Sequence, residues 1–526
     1  MSKGTYSFTT PIYYVNAAPH LGTAYTTIAA DTVARYQRMN GYDVAFVTGL
    51  DEHGQKVAEV AQRNNMTPLA WCDSMEPAFR DAWDMLGITY TDFVRTTEPR
   101  HARTVQKFWT DLYEKGYLYK GAYEGWYCVH EETYYAESDL EKNDEGELVC
   151  PDCKRPVRRA SGEENWFFKM SDFQEELLAF YETNPEFIRP ETRRNEIVSF
   201  VKGGLQDLSI SRSTFDWGVP LPFDEGHVAY VWADALLAYL TGIGYGDPDR
   251  PGCFEQNWPM HYHFVGKDIT RFHCVIWPAM LMAAGLPLPH TVFGHGFLLT
   301  KGEKMSKSKG NALKPEDLVR VFGVDAYRYY FMSDVAFGHD GSISIERMVQ
   351  VYNADLANTW GNLCSRVFNM TGKYFEGLVP AAPSSAAENP LRALSDALYA
   401  QYDAALCAVD FSAAAAAVQK LASRVNLYVE ESAPWNLAKS EETADELAAV
   451  IYNALEAIRI IALYMAPFAP ATSAEVFRRL SLGDITAVTD IEAATCWGGL
   501  PVGNAVETGD PLFPRLDAKE IDLAID

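Results

Sequence analysis

Two short stretches of this 526-residue chain carry residue types suited to holding a polyphosphate. Residues 302–311 read GEKMSKSKGN: three lysines and two serines between glycines, ahead of the helix-like PEDLVRVFG. Ammonium groups on such a basic loop can grip a polyphosphate, so Lys304, Ser306, Lys307 and Ser308 are candidates for that work. A given five-residue string such as KMSKS arises by chance in roughly one chain of this length in several thousand, which makes it specific. Residues 19–25, PHLGTAY, follow the apolar, strand-like YSFTTPIYYV. A helix starting here leaves its first amides unpaired and its positive dipole end forward, a ready anion site. Gly22 lets a base or phosphate approach the backbone closely. His20 can donate to a phosphate oxygen, and the Thr23 hydroxyl can do so without bringing charge.

A different chemistry is open to three cysteines. Cys150-x-x-Cys153, with proline after the first cysteine, reads as a metal knuckle, and Cys128 lies 22 residues before it. Three thiolates plus one imidazole or carboxylate can make a tetrahedral Zn²⁺ site, and CVHE at 128–131 offers His130 or Glu131 as the fourth ligand. Such a site lies outside the nucleotide motifs, so a structural role is expected.

These residues need a frame. Residues 5–15 alternate and are rich in Tyr, Thr and Val, which predicts a strand; LGTAYTTIAADTVARYQRMNG predicts a helix stopping at Asn40-Gly41. YDVAFVTG and DEHGQKVAEVAQRNN repeat the pair, and strand–helix–strand–helix at this spacing implies a parallel, doubly wound α/β sheet. The pattern breaks near residue 118, where an aromatic-rich, cysteine-bearing insertion begins. Sheet-like pieces return at HVAYVWADALLAYL, HYHFVGKDI and TVFGHGFLL, and from about 345 helical periodicity takes over, as in FSAAAAAVQKLASRVNLYVEES. The length implies two to four domains. Nine cysteines, mostly scattered, argue for reduced thiols rather than a disulfide framework. No apolar run is expected to reach the roughly 18–20 residues of a membrane span, and the N-terminus lacks a signal pattern, so a cytoplasmic protein without a membrane partner is expected. A net charge of −26 argues against sequence-blind nucleic-acid binding, DNA included. Part of it is terminal: residues 481–526 hold nine acidic against two basic residues.

His20-Leu21-Gly22 on the first crossover, with Lys304-Met305-Ser306-Lys307-Ser308 beyond the sheet, resembles the paired signature of class I aminoacyl-tRNA synthetases. TTPIYYVNAAPHLG, DEHGQK, DLSISR, VWADALLAY, GKDI and APW resemble the methionyl members in particular, in order, from residue 6 to about 516. The resemblance implies a Rossmann catalytic domain (first half 1–118, second half 211–290) with a connective insertion at 119–210. A stem-contact region carrying the lysine loop would span 291–345, and a helical anticodon-binding domain with a C-terminal tail 346–526. It implies attack of the methionine carboxylate on the α-phosphorus of ATP, with Mg²⁺ on the phosphates, then transfer to the 3′-terminal adenosine of tRNA(Met). Neither step needs a protein nucleophile, so positioning and charge stabilisation by His20, Lys304 and Lys307 would carry catalysis.

By the same resemblance, Gly294 and His295 lie near the adenosine, and Gly266, Lys267 and Asp268 reach the ribose and ammonium side. Arg212 binds the ATP phosphates or links the insertion to the site. Methionine would sit among Ile12, Tyr14, Trp232, Ala235, Leu236, Tyr239, Ile269, His273 and Trp277, with Asp51 facing its ammonium; an apolar, polarizable pocket suits a thioether. Asn362, Arg366 and Trp435 match anticodon-contacting positions. Two departures stand out. The usual second histidine of the first signature is Thr23 here, and the usual second C-x-x-C ends in Glu131. The family's additional C-terminal tRNA-binding module is not expected, which implies a monomer. Synthetases for isoleucine, valine or leucine would want a larger insertion for editing, and a cysteine enzyme would want zinc in the pocket itself. A small-molecule nucleotidyltransferase would leave the helical half without a task, and a non-catalytic RNA-binding protein would not require Asp51, Gly266-Lys267-Asp268 and KMSKS together.

Overall fold

The computed structural model describes residues 2–521 apart from 129–132, 136, 144, 152, 301–302, 305–313 and 382–388. Strand β1 (Thr5–Tyr14) leads into helix α1 (Leu21–Met39) and strand β2 (Asp43–Asp51); helices α2 (Gln55–Arg63) and α3 (Pro68–Met85) follow, then strand β3 (Asp92–Arg95) and helix α4 (Pro99–Glu114). These three strands are one half of a six-stranded parallel sheet of order β3-β2-β1, then Tyr262–Gly266, Thr291–His295 and Ile188–Arg189. The chain thus crosses from β1 to a strand some 250 residues later, pairing Phe8 with Tyr262, and leaves the switch point of the sheet beside β1. The sheet draws a strand from within the 119–210 insertion and another, Thr291–His295, from beyond residue 290.

Pro11 sits inside β1. A proline gives the ladder no amide, and the β1–β2 register shifts between Thr9 and Ile12. Beyond that irregularity Ile12 and Tyr14 end the strand at the sheet's carboxyl edge. The predicted sheet-like run HVAYVWADALLAYL is a strand only as far as Ala229; residues 231–235 and 238–242 are short helices. Every residue from Val228 to Ile243 is buried, and a run buried all round has no period to separate strand from helix. The insertion is an antiparallel sheet built on Leu118–Cys128 and Arg158–Phe168.

Helices dominate from Ile345 onward. Ile345–Val351 passes through a π-helical stretch, Tyr352–Gly361, into Asn362–Phe375, and packs with Pro390–Cys407, Phe411–Ser432 and Ala444–Met465. The alanine run is a face in contact: Ala414, Ala415, Val418, Leu421, Ala422 and Val425 are all buried. One expectation is corrected. The helical stretch Glu441–Met465 is, by length and composition, apolar enough to cross a membrane, with 18 consecutive residues of mean hydropathy 1.6, but 89% of those 18 residues are buried inside the protein, as in a core helix.

Helix α1 is tied to both neighbours by one buried ion pair. Asp31 meets Arg328 at 2.7 Å with both side chains fully buried, and also accepts from Thr89 and from Arg35. Burial alone would raise the Asp31 carboxyl, but Arg328 and Arg35 more than offset it and hold it down to about 2. Arg328 also donates to the carbonyls of Leu86 and Pro467, the latter in the bundle. Breaking such a pair leaves an uncompensated buried charge, at a cost of about 3–5 kcal/mol. The helix that begins at His20 is therefore fixed against the bundle.

Candidate active site

A cavity of about 420 Å³ opens at the carboxyl edge of the sheet beside the N-terminus of α1. His20 is the helix N-cap: its Nδ1 accepts from the amides of Gly22 (3.0 Å) and Thr23 (3.4 Å). With Nδ1 an acceptor, the ring's proton is on Nε2, which becomes its donor toward a ligand. Thr23 completes a capping box, its hydroxyl donating to the His20 carbonyl at 2.8 Å and lying 3.0 Å from the His20 amide, which donates to it. A Cβ on residue 22 would stand 3.0 Å from the His20 ring, so glycine leaves room for the ring as well as for a ligand. The departure at Thr23 thus brings no charge but orders the His20 backbone.

His20, Gly22, Thr23, Ile12, Tyr14, Asp51, Trp232, Ala235, Leu236, Tyr239, Gly266, Asp268, Ile269, His273 and His295 all line this one cavity. Asp51 ends β2 and is 2% exposed. A Cβ on Gly266 would lie 2.5 Å from Asp268 Oδ1, so the glycine makes room for that carboxylate. At the apolar end Tyr239 donates its hydroxyl to His273 Nε2 at 2.6 Å, while His273 Nδ1 donates to the Ile269 carbonyl at 2.9 Å. Burial pushes the His273 imidazole down to about 4 and raises the Tyr239 hydroxyl, so this end holds a neutral ring and a neutral phenol. Trp232 stacks on Phe272 with ring centroids 3.7 Å apart. His295 is also lowered by burial; it donates from Nδ1 to the Gly296 carbonyl and accepts on Nε2 from Thr26 at 2.6 Å.

Four of the nominated residues stand off the cavity wall. Trp277 is fully buried and donates to His263 Nε2 at 3.2 Å, behind Tyr239. Gly294 has no room for a side chain, a Cβ falling 2.6 Å from Thr270 Cγ2. Lys267 is paired with Asp340 at 2.7 Å and lies over the Phe297 ring. Arg212 stacks on Tyr230 and donates to Ser209 and to the Ser211 carbonyl, contacts that join the insertion to the segment carrying Trp232. Lys304 is placed by its backbone in a short strand opposite Leu299; Ser306, Lys307 and Ser308 lie outside the described residues. The cavity also contains Lys56 and Thr26, which sequence reasoning passed over. Lys56 stands 5.2 Å over the Tyr14 ring, and its signal was its place in DEHGQK. Thr26 is one helical turn after Gly22, the spacing that puts two residues on one face.

Away from the cavity, Cys128, Cys150 and Cys153 bring their sulfurs within 4.8 Å of one another, with Cys128 and Cys153 at 3.5 Å, and none of the three is in a disulfide. Tetrahedral zinc with bonds of about 2.3 Å to sulfur sets its sulfurs about 3.8 Å apart, so the cluster fits a metal. His130 and Glu131 lie outside the described residues. On the bundle, Asn362 is exposed, Arg366 faces Glu430 at 3.6 Å, and Trp435 is 43% exposed.

Residues 6–368 match the family described as tRNA synthetases class I (M), and residues 379–523 match the anticodon binding domain of methionyl tRNA ligase. The methionine–tRNA ligase of Streptomyces coelicolor is 49% identical, over 98% of this chain and 97% of that protein; the one from Thermotoga maritima is 46% identical, over 98% and 81%. Methionyl-tRNA synthetase of Mycobacterium tuberculosis in complex with methionyl-adenylate superposes with a TM-score of 0.93 at 40% identity, covering 97% of this chain and all of that one. Its apo form gives 0.85. With this sheet, this cavity at the α1 N-terminus and these matches over both halves, the chain belongs to the class I methionine–tRNA ligase family.

Proposed function

We propose that this cavity activates L-methionine with ATP and passes the methionyl group to tRNA(Met). The observation that carries the assignment is one continuous cavity with an anion-binding helix N-terminus at one side and an apolar end beside a buried carboxylate at the other. A methionine carboxylate oxygen forms a bond to the α-phosphorus of ATP as pyrophosphate leaves. The 3′-terminal ribose hydroxyl of the tRNA then bonds to the methionyl carbonyl carbon, losing its proton as AMP leaves. His20 Nε2–H and the first amides of α1 hold phosphate oxygens, and Lys304 and Lys307 stabilise the departing pyrophosphate, with Ser306 and Ser308 as further donors. Mg²⁺ neutralises charge on the phosphates when bound. Asp51 takes the α-ammonium; Ile12, Tyr14, Trp232, Ala235, Leu236, Tyr239, Ile269 and His273 surround the side chain, and Trp277 supports them from behind. Gly266, Asp268 and His295 serve the nucleoside, and Asn362, Arg366 and Trp435 the anticodon, where an exposed tryptophan can stack on an unstacked base. ATP–pyrophosphate exchange across the twenty amino acids tests this. Exchange driven by methionine is the expected result; exchange driven by another amino acid but not by methionine would overturn it.

Cys128, Cys150 and Cys153 would hold Zn²⁺ with Glu131 or His130, a structural site that secures the insertion. Metal analysis should find about one zinc per chain, reduced in Cys153→Ser and accompanied by a lower melting temperature. A metal-free protein whose melting temperature is unchanged by Cys153→Ser would argue for a knuckle without metal.

A further inference from the structure

Behind the methionine end of the cavity, and separate from its wall, one buried carboxylate is shared by two histidines. Asp234 Oδ2 accepts from His53 Nδ1 at 2.6 Å, and Asp234 Oδ1 accepts from His101 Nε2 at 2.7 Å. Asp234 and His101 are fully buried and His53 is 6% exposed. None of the three lines the cavity, so none is placed to touch a substrate.

What the three residues connect is informative. Asp234 lies on the short helix Val231–Ala235, which supplies Trp232 and Ala235 to the wall. Successive helical residues point about 100° apart, so Asp234 projects away from the face its neighbours present. His53 stands two residues after Asp51, just past the end of β2. His101 comes from α4, and its Nδ1 is 2.9 Å from the Thr241 hydroxyl, two residues beyond Tyr239 on the short helix Ala238–Gly242. Trp109, also on α4, donates to the Ala233 carbonyl at 2.9 Å. The segments carrying Asp51, Trp232 with Ala235, and Tyr239 are therefore each one or two residues from a single buried hydrogen-bonded centre.

We propose that His53, Asp234 and His101 form a positioning centre that sets the ammonium-facing carboxylate and the side-chain wall of the cavity at one fixed separation, and so govern recognition of the amino acid rather than of ATP. The short helices Val231–Ala235 and Ala238–Gly242 are too brief to hold their own orientation, and a carboxylate using both oxygens fixes rotation as well as distance. Burial would raise the Asp234 carboxyl, but the two imidazoles more than offset it and bring it down to about 2, which keeps both acceptor oxygens available at neutral pH. The inference rests on the assignment of this cavity to methionine.

The test is pyrophosphate exchange with active-site-titrated enzyme, varying methionine and ATP separately. Asp234→Asn and His101→Leu are expected to raise the methionine KM by about tenfold to a hundredfold, the scale of a small misplacement transmitted from outside the site. The ATP KM should stay within about twofold. His101→Gln, whose amide can still donate to Asp234 Oδ1, should restore the methionine KM. If one variant fails to fold, the remaining ones read the same contrast. Loss of active enzyme with the methionine KM unchanged, or an equal rise in both KM values, would overturn the inference. Absence of methionine-driven exchange in the unsubstituted protein would instead overturn the functional assignment on which it stands.

Discussion

His20→Ala lowers kcat for methionine-dependent pyrophosphate exchange by about 10²–10³-fold, the loss seen when one preorganised donor to a charged transition state is removed, while Thr23→Ala costs less than about tenfold. The difference follows from the cap. The His20 ring accepts two backbone amides on Nδ1, which puts its proton on Nε2, the atom proposed to donate to phosphate. The Thr23 hydroxyl is occupied with the His20 backbone. Losing Thr23 therefore removes a helix cap, a stability cost of about 0.5–2 kcal/mol, and loosens His20 without deleting its donor. A thermal scan separates the two effects: Thr23→Ala should show in the melting temperature and His20→Ala in kcat. Equal kcat losses would mean that Thr23 itself contacts the phosphate, as the histidine usual at that position would.

Asp51→Asn is expected to raise the methionine KM with little change in that for ATP. Asparagine keeps the shape and removes the charge, so the loss reports the ammonium contact. Truncating one partner of a buried charge pair costs about 2–5 kcal/mol, or roughly 30-fold to several-thousand-fold in kcat/KM for methionine. Asp51 is nearly fully buried, which places the effect away from the small values of exposed pairs. Steady-state exchange at saturating ATP measures it. A rise confined to the ATP KM would move Asp51 to the nucleoside and leave the ammonium to Asp268, the other carboxylate on the cavity wall among the described residues.

Much of the site was legible because its motifs sit where topology forces them. HLG must fall at the first strand-to-helix turn; Trp232, Ala235, Leu236 and Tyr239 reach the cavity from a run buried on all sides, and Gly266, Asp268, Ile269 and His273 reach it from the segment that ends a sheet strand. What was not legible depended on side-chain direction. Trp277 belongs to the right segment but turns into packing, Gly294 is closed off by Thr270, and Lys267 is drawn off by Asp340. Lys56 was passed over for the converse reason: it reaches the cavity from α2, a helix whose exposed face reads as ordinary solvated charge. Ala229 ends a strand inside a run whose hydrophobicity has no period, so only burial on all sides explains the two short helices that follow.

The amino-acid sequence alone determined the fold class, the strand-to-helix turn at His20 and Gly22, and the order of the catalytic and helical parts. Each of these is set by local spacing: period two against period 3.6, and a capping residue where strand gives way to helix. Only the tertiary structure decided that Thr23 serves as a cap and that Arg328 ties α1 to the bundle through a charge buried among distant elements. It also decided that His53, His101 and Asp234 meet at all, since their carriers are up to 181 positions apart in the chain. Such contacts join residues that share no period and no motif, and their energies arise only once burial has removed the water that would otherwise satisfy each group separately.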